Sequence, residues 1–283
     1  MKQSEQLLPL LPEVYAGQLE EADFQTLEEL RLGVGRPLRL RDSRGERELW
    51  PAADRAMVET VLGRACHHSV YAYAETLRQG YVTVEGGHRI GVCGFGVRDG
   101  DAVRTIRSPS SLNIRVARQA PGCANDLVRR LTDSALLLGP PGSGKTTLLR
   151  DTVRQLSDRL GQTVGLADER GELSAMEDGA AQLQIGRRTD VLINVPKAAA
   201  VLQLLRTMNP DWIALDEITD PTDLTALDRA AYCGVRLLAT AHGLDRTDLE
   251  RRPLYRRLLQ LGVFRQLVIL KRDKSYSIEE VGR

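Results

Sequence analysis

The stretch Gly139-Pro-Pro-Gly-Ser-Gly-Lys145-Thr146 decides the fold of this 283-residue chain. An apolar run at residues 135–138 precedes it, and a helical pattern covers residues 147–160. This is the arrangement G-x-x-x-x-G-K-[ST] between a strand and a helix, in which glycines let successive backbone N–H groups wrap around an anion. The helix that follows adds its dipole and its own unpaired N–H groups. The sequence therefore predicts a phosphate-binding loop.

The residues of this loop have separate predicted tasks. Lys145 would neutralise the β- and γ-phosphates of a nucleoside triphosphate, and the Thr146 hydroxyl would ligate Mg²⁺. ATP and Mg²⁺ are therefore the expected cofactors. The predicted nucleotide-binding residues are Gly139, Pro140, Pro141, Gly142, Ser143, Gly144, Lys145, Thr146 and Thr147.

Two carboxylates follow a second apolar run, in Asp211-Trp-Ile-Ala-Leu-Asp216-Glu217. In open α/β sheets, ligands bind outside the carboxyl ends of the strands, where these acids would lie. We assign Asp216 to the magnesium shell and Glu217 to positioning or activating the attacking water.

Two further strand ends could contribute to the same site. Asp168-Glu169-Arg170 follows the apolar run at residues 164–167, and Glu169 is a second candidate base unless this triplet is only a solvated turn. Thr240-Ala-His242-Gly243 ends another run, and His242 could donate a hydrogen bond to the γ-phosphate. The sequence alone leaves open whether Glu169 or Glu217 is the principal base.

The chain divides near residue 120. From there on, short apolar runs alternate with helical patterns, which predicts a parallel sheet covered on both faces. We therefore predict an α/β fold, with a RecA-like P-loop NTPase domain at residues 121–283. A smaller α+β N-terminal domain at residues 1–120 would precede it and serve subunit contact or regulation.

The N-terminal part predicts mixed α and β structure. Hairpins are expected around the turn Ser43-Arg-Gly45 and within residues 81–97. A helix is expected at residues 52–66. After a turn at Asp99-Gly-Asp101, two extended segments are expected, at residues 103–107 and 112–116.

Composition excludes several protein classes. Apolar residues make up 42% and charged residues 27%, which is typical of soluble globular proteins. No window approaches the roughly 18 apolar residues of a membrane-spanning helix, and the short N-terminal apolar stretch has no cleavage site, so we expect neither a span nor a signal peptide. The four cysteines are far apart, which favours free thiols in a reducing compartment over disulfides or zinc.

The basic residues are mostly arginine. Of 39 basic residues, 34 are arginine and five are lysine, while the net charge is only +1. Hydrolysis by P-loop enzymes is often accelerated by an arginine from a neighbouring subunit. The sequence does not choose among the candidates, which are Arg89, Arg104, Arg107, Arg115, Arg118, Arg187 and Arg188.

Several blocks, taken together, resemble a known family. They are Ser69-Val-Tyr-Ala-Tyr, Gly86-Gly-His-Arg-Ile-Gly91, Asn113-Ile-Arg-Val-Ala-Arg118, Gly186-Arg-Arg-Thr-Asp190, Pro196-Lys197 and Thr240-Ala-His-Gly243, together with the phosphate loop and Asp216-Glu217. The sequence resembles the stage III sporulation protein AA family from about Glu29 to Phe264. That family is similar to the ATPases of type II and type IV secretion.

The resemblance implies a cytoplasmic ATPase in the mother cell of an endospore-forming bacterium. It would energise a channel complex between mother cell and forespore and dock on membrane-anchored partners. The similar secretion ATPases form homohexameric rings with nucleotide between subunits. In that family Asp168-Glu169-Arg170 corresponds to the "Asp box" and residues 240–243 correspond to the "His box".

Two departures from the resemblance matter. Many relatives carry an arginine directly after the acidic pair, whereas this chain has Ile218. The tetracysteine zinc motif of many type II secretion ATPases is also absent from the sequence.

Two other functions stay open at this point. One is a RecA-like nucleic-acid motor, suggested by the arginine-rich stretch from Arg104 to Arg130. The near-neutral charge and the 4% content of aromatic residues argue against nucleic acid as a partner. The other is a nucleotide-gated assembly scaffold with little turnover, against which the intact Lys145, Thr146, Asp216 and Glu217 argue.

Overall fold

The chain forms two units. The computed structural model describes residues 3–42, 44–69, 73–100, 102–177 and 179–281. The N-terminal unit consists of Met1–Arg118 and Ala175–Gln182, and the C-terminal unit of Gln119–Ser174 and Leu183–Arg283. The sequence predicts a single boundary after residue 120, and it does not predict that Ala175–Gln182 belongs to the N-terminal unit. Ser43, Asp101 and residues 70–72 of the sequence predictions lie outside the described residues.

Helices and strands are grouped in the N-terminal unit and mostly alternate in the C-terminal unit. The strands are β1 (Leu27–Gly33), β2 (Leu38–Asp42), β3 (Gly45–Leu49), β4 (Tyr81–Val84), β5 (His88–Asp99), β6 (Ala102–Arg115), β7 (Ala135–Gly139), β8 (Val164–Asp168), β9 (Met176–Glu177), β10 (Ala180–Ala181), β11 (Thr189–Ile193), β12 (Trp212–Leu215), β13 (Arg236–His242), β14 (Gln266–Leu270) and β15 (Tyr276–Glu280). The helices are α1 (Gln3–Leu7), α2 (Glu13–Ala16), α3 (Glu21–Thr26), α4 (Arg55–Ala65), α5 (Ala74–Arg78), α6 (Asn125–Arg130), α7 (Lys145–Asp158), α8 (Lys197–Thr207), α9 (Pro221–Tyr232), α10 (Arg246–Arg251) and α11 (Pro253–Leu261).

The N-terminal unit is built on an antiparallel sheet with the order β3-β2-β1-β6-β5-β4. Apolar residues of its strands and helices share one buried core. Helix α4 begins after Asp54, whose carboxylate accepts a hydrogen bond from the Met57 N–H at 2.8 Å. The two extended segments expected after residue 102 form one strand, β6, because β5 pairs with β6 along its length through bulges.

The short hairpin β9–β10 belongs to the N-terminal unit although its sequence interrupts the C-terminal unit. The Glu177 carboxylate lies 3.0 Å from His67 Nε2 and accepts a hydrogen bond from the Tyr73 hydroxyl at 3.4 Å. These contacts hold the hairpin within the N-terminal unit.

The C-terminal unit contains a seven-stranded sheet with the order β11-β8-β12-β13-β7-β14-β15. All neighbouring strands are parallel except β14 and β15. The predicted parallel sheet is confirmed. The edge strand β11 was not predicted, because its side chains are mostly half-buried and its apolar run, Val191–Ile193, is only three residues long.

Helices cover both faces of this sheet. Leu136 and Leu138 of β7 belong to the apolar cluster that contains residues of α8, α9, α10 and α11. Ala135 and Leu137 belong to the cluster formed with α6 and α7. This alternation follows from the period of two in a strand, and it explains why the strands are apolar throughout.

In the described part of the chain, helices long and apolar enough to cross a lipid bilayer are absent.

Candidate active site

The predicted phosphate loop, residues 139–146, connects the carboxyl end of β7 to the first residues of α7. Gly142 and Gly144 have φ values of +75° and +92°, which glycine adopts far more readily than other residues. Gly139 is required for a different reason, because a Cβ there would lie 2.6 Å from Ser143 Oγ and 3.0 Å from the Leu270 carbonyl oxygen. The loop therefore needs glycine for conformation at two positions and for packing at a third.

Lys145 is the first residue of α7 and is 7% exposed. Its ammonium group donates hydrogen bonds to the carbonyl oxygens of Gly139 at 2.8 Å and Pro140 at 3.0 Å. Burial lowers the pKa of this amine, and the nearby carboxylates of Asp216 and Glu217 oppose that shift. The loop thus holds the cation against its own carbonyl groups.

Two hydroxyl groups bind the Asp216 carboxylate. Thr146 Oγ1 donates to Asp216 Oδ2 at 2.9 Å, and Thr240 Oγ1 donates to Asp216 Oδ1. Thr240 is fully buried in β13, the strand next to β12. The order of the strands therefore brings the start of α7, the end of β12 and the end of β13 together around one carboxylate.

These oxygens fit magnesium that arrives with a phosphate ligand. A hydroxyl and a carboxylate are hard oxygen donors, which Mg²⁺ prefers, and Mg²⁺ commonly takes its other ligands from phosphate and water. Among the described residues, His, Cys, Asp and Glu form no group of three that could hold a metal by itself. Thr146 and Asp216 are the residues that would hold the ion.

Glu217 has an unusual backbone conformation. Its φ of +50° is rare outside glycine, and its N–H donates to Thr240 Oγ1 at 2.8 Å. Its carboxylate lies 2.9 Å from His242 Nε2 and 3.5 Å from Arg170 Nη1. Strained backbone held by several contacts is characteristic of functional sites, so this geometry supports a functional role for Glu217.

His242 lies between Lys145 and Glu217. Its Nδ1 is 3.3 Å from Lys145 Nζ, and its Nε2 faces the Glu217 carboxylate. Because an ammonium group can only donate, Nδ1 accepts and Nε2 carries the proton that is donated to Glu217. The arrangement therefore selects the neutral imidazole with its hydrogen on Nε2, and it links Lys145, His242, Glu217 and Arg170 in one chain of polar contacts.

Asp168 and Glu169 have other partners. Asp168 is 2% exposed and accepts from the backbone N–H of Leu173 at 3.2 Å and from Ser174 through its N–H at 2.8 Å and its hydroxyl at 2.6 Å. Glu169 forms an ion pair with Lys197 at 2.7 Å. Asp168 thus shapes the loop after β8, and the Glu169 carboxylate is paired with a cation.

The other loop residues named from the sequence lie around Lys145. Pro140 contributes its carbonyl group, Pro141 is exposed and Thr147 is half-buried. Ser143 is 1% exposed, and its hydroxyl has no hydrogen-bond partner among the described residues. Ser143 therefore fills the space beside Gly139.

Three residues that contact the acidic side chains of the candidate site have no role predicted from the sequence. Thr240 and Arg170 contact the acidic pair, and Lys197 neutralises Glu169. Thr240 and Arg170 could have been suspected, because both lie at strand ends on the same edge. Ile218 is fully buried, and its carbonyl group accepts from the Tyr255 hydroxyl at 3.0 Å. The position directly after Asp216 and Glu217 therefore carries no charge. The guanidinium group that lies near Glu217 belongs to Arg170, in the loop after β8.

Four of the candidate arginines have partners within their own unit. Arg118, for example, donates to the carbonyl groups of Gln25 and Leu27 at 2.8 Å each. The four are Arg89, Arg118, Arg187 and Arg188. Arg104, Arg107 and Arg115 are exposed. The single chain does not assign any of the seven to a nucleotide site.

The sequence and the fold match known proteins. The family profile "Sporulation stage III, protein AA" matches residues 2–279. "Stage III sporulation protein AA" of Bacillus subtilis (strain 168) is 35% identical over 284 residues, which cover 97% of this chain and 92% of that protein. "Type II secretion system protein HxcR" of Pseudomonas aeruginosa is 26% identical over 181 residues, which cover 60% of this chain and 37% of that protein.

A solved structure shares the fold. The X-ray structure of the Yersinia pseudotuberculosis ATPase DotB matches with a TM-score of 0.61 and 14% sequence identity. The match covers 95% of this chain and 79% of that one. At this identity the likeness establishes a common mixed α/β fold and nothing about chemistry.

Proposed function

The chain belongs to the Sporulation stage III, protein AA family, and from this we propose that it is a magnesium-dependent ATPase of the secretion type. Its RecA-like C-terminal unit would bind and hydrolyse ATP. In the mother cell, it would energise a channel complex that leads to the forespore. The match to a type II secretion system protein supports the secretion class.

One observation carries this proposal. Thr146 and Thr240 converge on Asp216, and His242 lies between Lys145 and Glu217, all beside the glycine-rich loop. A cation, a hydroxyl–carboxylate pair and a second carboxylate are the groups that phosphoryl transfer to water requires. A structural glycine turn would need none of them.

Each side chain has a proposed task in hydrolysis. Lys145 leaves the loop carbonyl groups to contact the β- and γ-phosphates, and Thr146 and Asp216 would hold magnesium. When bound, magnesium supplies positive charge that offsets the phosphate oxygens. Glu217 takes a proton as water attacks the γ-phosphorus and the bond to the bridging β–γ oxygen breaks, which yields ADP and phosphate.

His242 and Arg170 would control the availability of Glu217. In the structure each of them contacts one oxygen of its carboxylate, so both compete with the attacking water for that carboxylate. His242 carries its hydrogen on Nε2, and it could donate this hydrogen to the γ-phosphate instead. We propose that nucleotide binding exchanges these partners.

Assembly and location are further parts of the proposal. We infer a homohexamer with nucleotide between subunits, docked on membrane-anchored partners, with the N-terminal unit making subunit contacts. Family membership supports these statements. One of the seven candidate arginines, supplied by a neighbouring subunit, would then complete each site.

The proposal is tested by measuring the ATPase rate per subunit as a function of protein concentration, with the rate of the Lys145→Ala variant as the background. A rate that rises steeply as the protein self-associates would support sites completed by neighbours. A flat rate above background would retain the ATPase and overturn the shared site. If no concentration gives a rate above that of Lys145→Ala, even with nucleotide bound, the scaffold function replaces the enzyme.

A further inference from the structure

The turn after β14 lies beside the phosphate loop, on the side away from Asp216 and Glu217. In the sheet, β7 has β13 on one side and β14 on the other, and β14 is parallel to β7 with Ile269 opposite Leu138. The turn at residues 271–275 therefore begins at the same edge as the loop. Packing at the first glycine confirms this, because a Cβ on Gly139 would lie 3.0 Å from the Leu270 carbonyl oxygen.

Lys274 is the residue of this turn that approaches the loop. Its Cγ lies 4.0 Å from the position that a Cβ on Gly144 would occupy. Gly144 is the N-cap of α7, where backbone N–H groups without helical partners favour an anion. The aliphatic part of Lys274 thus lies at the start of the helix that would hold the phosphates.

The turn carries a net positive charge, because three basic residues accompany one acid. Lys271, Arg272 and Lys274 are exposed, and none of the three forms an ion pair within the described residues. The acid of the turn, Asp273, accepts hydrogen bonds from Ser275 through its N–H at 3.0 Å and its hydroxyl at 2.7 Å. These bonds lower the pKa of Asp273 and keep its carboxylate within the turn.

Lysine is rare in this chain and is concentrated at this edge of the sheet. The sequence has 34 arginines and five lysines. The four lysines among the described residues follow parallel strands: Lys145 after β7, Lys197 after β11, and Lys271 and Lys274 after β14. Two of them already have a place in the site, since Lys145 belongs to the loop and Lys197 pairs with Glu169. A lysine ammonium group is a compact charge that suits phosphate oxygens.

We propose that Lys274 binds the phosphates of a nucleoside di- or triphosphate from the β14 side. This inference rests on the proposed nucleotide site and adds a residue to it. The carboxylates assigned to magnesium and to the attacking water, Asp216 and Glu217, follow β12, which lies on the other side of the loop. Lys274 therefore contacts the α- and β-phosphates, which ADP and ATP share.

The test is an equilibrium titration with fluorescent ADP and with a slowly hydrolysed fluorescent ATP analogue. Lys274→Met removes the charge and keeps an aliphatic side chain, and Arg272→Met removes a charge from the same turn as the matched control. We expect Lys274→Met to weaken both nucleotides about five- to tenfold, which is the range for one partly solvated charge-assisted hydrogen bond. Arg272→Met should change either affinity less than about twofold.

Several outcomes would overturn the inference. Unchanged affinity in Lys274→Met, with the wild-type protein binding normally, would remove Lys274 from the site and leave the proposed ATPase intact. Equal losses in Lys274→Met and Arg272→Met that disappear at high salt would indicate a diffuse field. Loss confined to the ATP analogue would place the contact at the γ-phosphate. Failure of the wild-type protein to bind either nucleotide more tightly than Lys145→Ala would overturn the nucleotide site itself.

Discussion

Strands β8 and β12 are parallel neighbours, with Leu215 opposite Ala167. An aspartate and a glutamate lie at the carboxyl end of each strand, Asp168 and Glu169 at β8 and Asp216 and Glu217 at β12. The two pairs differ in their partners. Asp168 accepts hydrogen bonds from its own loop, whereas Asp216 accepts from the hydroxyl groups of Thr146 in α7 and Thr240 in β13. Identical residue types at equivalent strand ends therefore have different roles, which are set by the groups that neighbouring elements supply.

The glutamates differ in the same way. Glu169 pairs with Lys197, a side chain that is 10% exposed, whereas Glu217 contacts His242 and the largely exposed Arg170. Lys197 is thus the most enclosed of these partners, and shielding from water strengthens an ion pair. This favours Glu217, whose partners are more exposed, as the carboxylate that accepts a proton.

The largest expected effect separates the two aspartates. Asp216→Asn should lower the magnesium-dependent ATPase rate about 1,000-fold, because an amide cannot replace the negative charge that holds the ion. Steady-state rates over a magnesium titration would measure this. Retention of more than a tenth of the wild-type rate would contradict the metal assignment, provided that circular dichroism shows an unchanged fold.

The next effect separates the two glutamates. Glu217→Gln should keep ATP bound and lower kcat about 100- to 1,000-fold, because the amide cannot take the proton. Glu169→Gln, the matched control, should lower kcat less than about tenfold. Nucleotide titration and single-turnover hydrolysis would measure binding and chemistry separately. Normal hydrolysis in Glu217→Gln with a large loss in Glu169→Gln would exchange the two assignments.

Local sequence predicted the elements that depend on local pattern. The phosphate loop follows from glycine spacing, and strands such as β7 and β12 follow from uninterrupted apolar runs. Strand β11 could not be predicted with the same reasoning, because a half-buried edge strand lacks such a run. The return of Ala175–Gln182 to the N-terminal unit depends on tertiary contacts, so no local pattern announces it.

The sequence also did not predict which side chains at neighbouring strand ends contact one another. Asp216 and Glu217 could be placed at a strand end, but Thr240 reaches them only because β13 lies next to β12. Arg170 reaches Glu217 because β8 lies on the other side of β12. Strand order is a property of the whole sheet, which a pass along the chain does not determine.

A stability effect should identify the structural aspartate. Asp168→Asn should lower the free energy of unfolding by about 2–3 kcal/mol, because an amide nitrogen replaces the oxygen that faces the Leu173 N–H and the bonds from Ser174 lose their charged acceptor in a buried site. Ser174→Ala removes only one of these bonds and should lower it by about 1 kcal/mol. Denaturant unfolding would measure both, and a change below about 0.5 kcal/mol in Asp168→Asn would contradict the structural role.

The smallest expected effect concerns Arg170, the residue that links the two strand ends. Its side chain is 64% exposed and lies 3.5 Å from Glu217, and exposed ion pairs contribute little. Arg170→Gln should therefore change kcat and nucleotide affinity less than about threefold, with Arg170→Lys as the charge-conserving control. A loss above about 30-fold, recovered in Arg170→Lys, would mean that Arg170 contacts nucleotide during turnover. The loop after β8 would then contribute directly to chemistry, and the contrast between the two strand ends would hold for the aspartates alone.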